Sequence, residues 1–181
     1  RDNVYIQYDV YSSLISLVAG LGDQGSSLSP PRTTTPPSDA QAARRIFTEM
    51  RERNIPYPES VYTAMIRCYS MNNAESEALG LYKEMTRPFT TEEREAIAIE
   101  HGHDSLQEKY ERPFIPKLRT FSPLLAGHAL AGDLATCLWI YEEMTVRFEI
   151  TPLERDYVSL LRVIAKARDH RVFHRILNAF M

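Results

Sequence analysis

Cysteine is scarce in this chain. Cys68 and Cys137 are the only two, and with no CxxC spacing they exclude a disulfide framework and a thiolate metal site. Both fall on apolar-patterned stretches and read as packed thiols. No run approaches the roughly eighteen consecutive apolar residues of a membrane span. There is no glycine-rich phosphate loop, no HExxH, no GxSxG and no cluster of aspartates suited to Mg²⁺. The carboxylates (Glu49/Glu52, Glu142/Glu143) fall on helix faces where solvation is the default, so no active site is expected within these residues. His101-Gly102-His103-Asp104 lacks the i,i+4 spacing or second ligand pair of a metal site and reads as a polar turn. Basic charge is not in excess either: the net charge is −3. That argues mildly against nucleic acid, although binding depends on where the basic residues stand rather than on their sum. The first residue is Arg, with no basic presequence, so the sequence is expected to be a piece of a longer chain.

What the sequence does have is helical periodicity. Residues 116–144 read as two antiparallel helices. The first carries Phe121, Leu124, Leu125 and His128/Ala129 at helical spacing. Thr120 is expected to cap it, with Pro123 in the first turn. Gly132 suits the left-handed end of that helix, and Asp133 can cap the next. The second helix is expected to bury Leu134, Leu138, Tyr141 and Met144, with Glu142 and Glu143 in water. A hairpin this small cannot cover its own apolar face and needs copies alongside.

The copies are present. Phe121 aligns with Tyr11, Tyr62 and Tyr157, and Glu143-Met144 aligns with Glu49-Met50 and Glu84-Met85. Met50 to Met85 is 35 residues and Phe121 to Tyr157 is 36. Tyr11 to Tyr62 is 51 and Tyr62 to Phe121 is 59, the same period carrying insertions. A helical hairpin of about 34 residues points to an all-α solenoid, right-handed, of about four units. The pattern resembles the pentatricopeptide repeat more than the tetratricopeptide repeat, whose Trp-Leu-Gly and Tyr signature is absent. The units run 8–58 with an insertion at 20–38, 59–117 with an insertion at 86–113, then 118–153 and 154–181.

Along the chain, residues 8–19 are expected to be the opening helix and residues 23–37 a mobile loop rich in Gly, Ser, Thr and Pro. Ser38 or Asp39 should cap a helix running to about residue 53. The next helix spans 62–71, and Asn73 should cap the one ending near Met85. Thr90-x-x-Glu93 looks like a capping box opening an extra amphipathic helix. The last hairpin begins at 154–167, and Asp169 should cap its second helix.

Candidate binding residues lie on the first helices, the concave side of such a solenoid. Just after each aligned aromatic stand Ser12, Thr63, Ser122 and Val158; two before it stand Asp9, Ser60, Arg119 and Arg155. Five after it stand Ser16, Arg67, Ala126 and Arg162. Spacings of three and four put each set on one helix face. The columns grow basic towards the C-terminus through Arg67, Arg119, Arg155, Arg162 and, one turn on, Lys166. Short hydroxyls among arginines are what contacts to a ribose-phosphate backbone require. The bland alternative is that these arginines merely solubilise a helix face.

The segment Pro116-Lys117-Leu118-Arg119-Thr120-Phe121-Ser122-Pro123-Leu124-Leu125, then Gly132-Asp133 and Tyr141-Glu142-Glu143-Met144, is similar to the last full repeat of protein-only RNase P. Thr151-Pro152-Leu153-Glu154 with Leu160-Leu161-Arg162-Val163 resembles that family's closing repeat. The resemblance implies a domain that grips the elbow of precursor tRNA. A separate nuclease domain, using Mg²⁺ and joined by a zinc-binding region, then removes the 5′ leader. Neither the zinc ligands nor the nuclease aspartates occur here, so the activity belongs outside these residues. At the repeat ends stand Pro58, Lys117 and Leu153, where the one-base-per-repeat code favours Asn or Asp. Recognition of RNA shape and backbone fits that better than reading a single strand. The alternative is a non-catalytic scaffold binding protein or RNA in an organellar ribonucleoprotein assembly. The family suggests mitochondrion or nucleus, an address these residues do not carry.

Overall fold

The computed structural model describes Tyr11, Ile15 and residues 37–101 and 112–180. The expected opening helix, apart from Tyr11 and Ile15, lies outside the described residues, as do most of the loop at 23–37 and the turn at 102–104. The described residues form α1 (Pro37–Glu52), α2 (Glu59–Ser70), α3 (Glu75–Met85), α4 (Thr91–His101), α5 (Leu118–Ala131) and α6 (Leu134–Glu142). A π turn over Glu143–Arg147, then α7 (Glu154–Ala167) and α8 (His170–Phe180), complete the order. No strand occurs among them.

The helices form two layers. The first helices α2, α5 and α7 stand in a row, each packed on the next. The second helices α3, α6 and α8 pack on their own first helices, and α1, α3 and α6 pack on the first helix that follows. This is the α-solenoid expected from the repeat, and it explains why α2 is buried almost all round: it is covered by α1, α3 and α5. One continuous core runs from Ile15 to Ile176. Gly127 of α5 marks a close crossing, since a Cβ there would lie 3.0 Å from both Cβ and the carbonyl oxygen of Ser70 in α2.

The aligned aromatics and glutamates meet. Tyr11 Oη donates to Glu49 at 3.0 Å and Tyr62 Oη to Glu84 at 3.0 Å. Both glutamates sit one residue before a fully buried methionine, Met50 or Met85. Where Phe121 replaces the tyrosine, Glu143 instead receives Tyr82 Oη, from the preceding hairpin, at 2.9 Å. Tyr157 reaches the carbonyl of Ala179 at 3.4 Å, spanning the same 22 residues that separate Tyr62 from Glu84.

Caps follow the sequence in part. Gly132 has φ +81, and the Asp133 carboxylate accepts from the Thr136 amide at 3.1 Å. Asp169 accepts from Val172 at 3.0 Å, and α7 has the bounds expected of it. Thr90 and Glu93 form the reciprocal capping box, at 3.2 and 2.8 Å. Four expectations are corrected. Thr120 is the third residue of α5 rather than its cap, because the helix starts at Leu118 after extended Lys117; Pro123 therefore lies inside the helix. Ala74 precedes α3, while Asn73 takes a left-handed φ of 54°, a turn conformation that asparagine tolerates. The fully buried positions of α6 and the π turn after it are Cys137, Ile140 and Met144, with Leu134, Leu138 and Tyr141 half-buried at the margin. Glu143, expected in water, turns to Tyr82 where the helix widens into the π turn.

Helix α4 belongs to the second insertion and is tied to the solenoid by Arg112. That guanidinium is 2% exposed, pairs with Glu93 at 2.8 Å, donates to the Glu84 carbonyl at 2.9 Å and lies 4.1 Å over the Phe89 ring.

Candidate nucleic-acid interface

The charged residues of the first-helix row fall into two groups, those held by carboxylates and those left open to solvent. Arg155, Val158, Arg162 and Lys166 follow one another on α7 at spacings of three and four, which keeps them on one stripe. All four are exposed, and the three cations are in no ion pair among the described residues. The stripe stays outward because the opposite face of α7 is spent on Tyr157, Leu160, Val163 and Ile164, all buried. The only acid on α7 besides exposed Glu154 is Asp156, which is buried and accepts from the Leu153 amide at 2.9 Å. Helix α8 adds exposed Arg171 and Arg175, and Arg168 ends α7 in a left-handed turn. These three were not among the sequence candidates; for Arg171 and Arg175 the signal was there in a helix, His170–Phe180, that carries no acidic residue.

Arg119 differs. Its Nε donates to Glu59 Oε1 at 3.3 Å and its Nη2 bonds Oε2 of the same carboxylate. Lys117 Nζ stands 3.6 Å from Glu59. Arg67 is half-buried on α2 and is not ion-paired. Thr63 and Ser122 are buried, 5% and 8% exposed, in the wall between α2 and α5. Thr63 spends its hydroxyl on Glu59 at 3.1 Å and lies 3.3 Å from Thr120. Ser12 lies outside the described residues. The structure thus presents Arg119, Arg155, Val158, Arg162 and Lys166 at the surface, and leaves Thr63 and Ser122 inside.

Elsewhere several arginines are neutralised in pairs: Arg51 with Glu84, Arg87 and Arg112 with Glu93, Arg147 with Glu143. Glu93 is held at about 2, chiefly by its hydrogen bond from Arg87, with Arg112 adding to it. Burial and then Glu84 push the Tyr62 hydroxyl far up, so it remains a donor at any physiological pH. No group of three His, Cys, Asp or Glu able to hold a metal ion occurs among the described residues. No helix there is long and apolar enough to cross a membrane.

Two sequence profiles match the chain: "PPR repeat" over residues 60–87 and "Pentacotripeptide-repeat region of PRORP" over residues 101–181. No curated protein sequence matches it. Among solved structures, the PPR domain of Arabidopsis thaliana protein-only RNase P 1 (PRORP1), crystallised in complex with tRNA, superposes with a TM-score of 0.62 at 18% identity. That match covers 93% of this chain and 68% of the other. Nuclear proteinaceous RNase P 2 (PRORP2) from A. thaliana gives 0.66 at 18% identity, over 93% of this chain. The chain spans only 29% of the PRORP2 chain, and at such identity the likeness is one of fold.

Proposed function

We propose, from the premise that this chain is a pentatricopeptide-repeat domain resembling that of protein-only RNase P, that it docks precursor tRNA. In this reading the first-helix row grips the folded elbow of the RNA. A nuclease domain that these residues do not contain removes the 5′ leader, using Mg²⁺ and a zinc-supported linker region. The observation that carries the reading is the stripe of Arg155, Arg162 and Lys166, exposed and unpaired in a chain of net charge −3. Cations left without carboxylate partners on one helix face, while Arg51, Arg87, Arg112 and Arg147 are each neutralised, suit a phosphate track better than simple solubility. The tRNA bound to the PRORP1 domain supports the choice of RNA.

The test is Arg155→Gln with Arg162→Gln, titrated with precursor tRNA at several salt concentrations. Each lost phosphate contact lowers the slope of log affinity against log salt by somewhat under one unit, so the pair lowers it by about 1.5. Affinity falls alike for different precursors, because backbone contacts do not read sequence. Unchanged affinity and slope, with the helical fold intact by circular dichroism, would sink RNA docking and favour the protein-binding scaffold.

A further inference from the structure

Glu59 is an acid that sits directly under the sequence-predicted basic column, and its surroundings are unusual for a surface carboxylate. Its side chain is 17% exposed, whereas those of Arg119 and Lys117, which cover it, are 55% and 63% exposed. Arg119 meets it side-on, through Nε and Nη2, so both hydrogens of Nη1 point away from the pair. The carboxylate is itself fixed from below. The Lys117 amide donates to Thr120 Oγ1 at 3.4 Å, and the Thr120 and Thr63 hydroxyls are 3.3 Å apart. Thr63 Oγ1 stands 3.1 Å from Glu59. Thr63 has a single hydroxyl proton, which Glu59 takes, so Thr120 must donate to Thr63 and accept from Lys117. Every donor in that line runs one way, from the start of α5 through α2 to the carboxylate, and the line joins two helices that are packed on each other.

We propose that Glu59 is a positioning residue for RNA: it aims the outer edge of the Arg119 guanidinium at a phosphodiester. The inference rests on the tRNA-docking reading above. A free arginine must give up rotamer freedom when it binds phosphate, whereas one already clamped side-on by a carboxylate has lost it beforehand. The planar fork is what makes the arrangement possible, since it offers one edge to Glu59 and another to the ligand. Lysine can touch both anions, but its rotatable ammonium has no rigid second edge to aim. Thr63 and Thr120, buried between α2 and α5, then act on RNA only through this line.

Charge alone predicts the opposite outcome, and that makes the idea testable. Glu59→Gln renders the protein one charge more positive, so a simple electrostatic surface would bind RNA more tightly. As a positioning residue, Glu59 once neutralised leaves Arg119 loose, and affinity for folded precursor tRNA falls about fivefold instead. Arg119→Lys keeps the charge, lies at an exposed site that does not threaten folding, and should fall by about the same factor. Glu59→Gln combined with Arg119→Lys should be no weaker than either alone, because both break one unit. Should Arg119→Lys bind as the parent does, or Glu59→Gln bind more tightly, the proposal is overturned. Arg155→Gln, measured in parallel, separates the two levels. If it weakens binding while the Glu59 and Arg119 variants do not, the positioning role fails and docking stands; if none of them matters, docking itself fails.

Discussion

Tyr82 donates to Glu143 at 2.9 Å across the boundary between neighbouring hairpins, at the one aligned position where the first helix offers phenylalanine instead of tyrosine. Phe121 and Glu143 are 22 residues apart, as are Tyr62 and Glu84, and Phe121 packs 5.5 Å from the Tyr82 ring. The glutamate is thus satisfied in each case, from within its own hairpin or from the one before.

Removing that hydroxyl tests the relationship. Tyr82→Phe should cost about 1.5–3 kcal/mol, the worth of a hydrogen bond to a charged acceptor, read from the urea midpoint. Glu143 keeps its bond from Arg147 at 2.9 Å, so the loss stays moderate. Phe121→Tyr added to that variant should recover part of it by restoring the within-hairpin donor. Further destabilisation by the second change would show that position 121 is not equivalent to Tyr62.

A second prediction has opposite signs for local and tertiary effects. Gly127→Ala should favour helix α5 by about 0.8–1 kcal/mol on intrinsic propensity alone. The new Cβ, however, would press on the Ser70 backbone at 3.0 Å, and backbone cannot step aside cheaply. Overpacking of this kind costs about 1–3 kcal/mol, so the net should be a lower melting temperature. An unchanged or raised one would mean that α2 and α5 separate easily.

Much of this was legible in the sequence, and the residues show why. Tyr62 and Glu84, Gly132 and Asp133, and the bounds of α7 are all set by spacing within one hairpin, which periodicity reports directly. The capping box at Thr90 and Glu93 is equally local. What periodicity missed is contact between hairpins. Glu59 and Arg119 lie 60 residues apart, and Tyr82 and Glu143 61. A helical wheel says that Thr63 shares a face with Arg67, but not that α5 will close over it. Thr120 was misplaced for a related reason: the helix starts two residues earlier than the first good capping side chain, after a lysine in extended conformation.

Acid should loosen the second insertion. Glu93 is held at about 2, well below an ordinary carboxylate, mainly by Arg87. A depressed acid stabilises the fold above its unfolded value, and that contribution is lost as pH falls from about 4.5 towards 2. Glu93→Gln should therefore flatten the acid limb of a plot of stability against pH. It should also speed hydrogen exchange in α4, because Arg112 is then buried with its main partner gone. An acid limb as steep as the parent's would show that other carboxylates set it.

The two thiols should be inert in the folded protein. Burial, then nearby Asp133, pushes the Cys137 thiol up to about 12, and burial raises Cys68 as well. Almost no thiolate exists at pH 8, and neither sulfur is accessible. A thiol-reactive chromophore should label neither in buffer and both in denaturant. Fast labelling of either in buffer would reveal local opening of α2 or α6.

The bond from Tyr11 to Glu49 spans 38 residues, where its counterpart from Tyr62 to Glu84 spans 22, and both are 3.0 Å long. The partners identify each other by their places on two helices, indifferent to how much chain has been looped out between them. A turn governed by such a rule is a port. Foreign sequence can be spliced there, by evolution or by design, and the solenoid will still close around it in register.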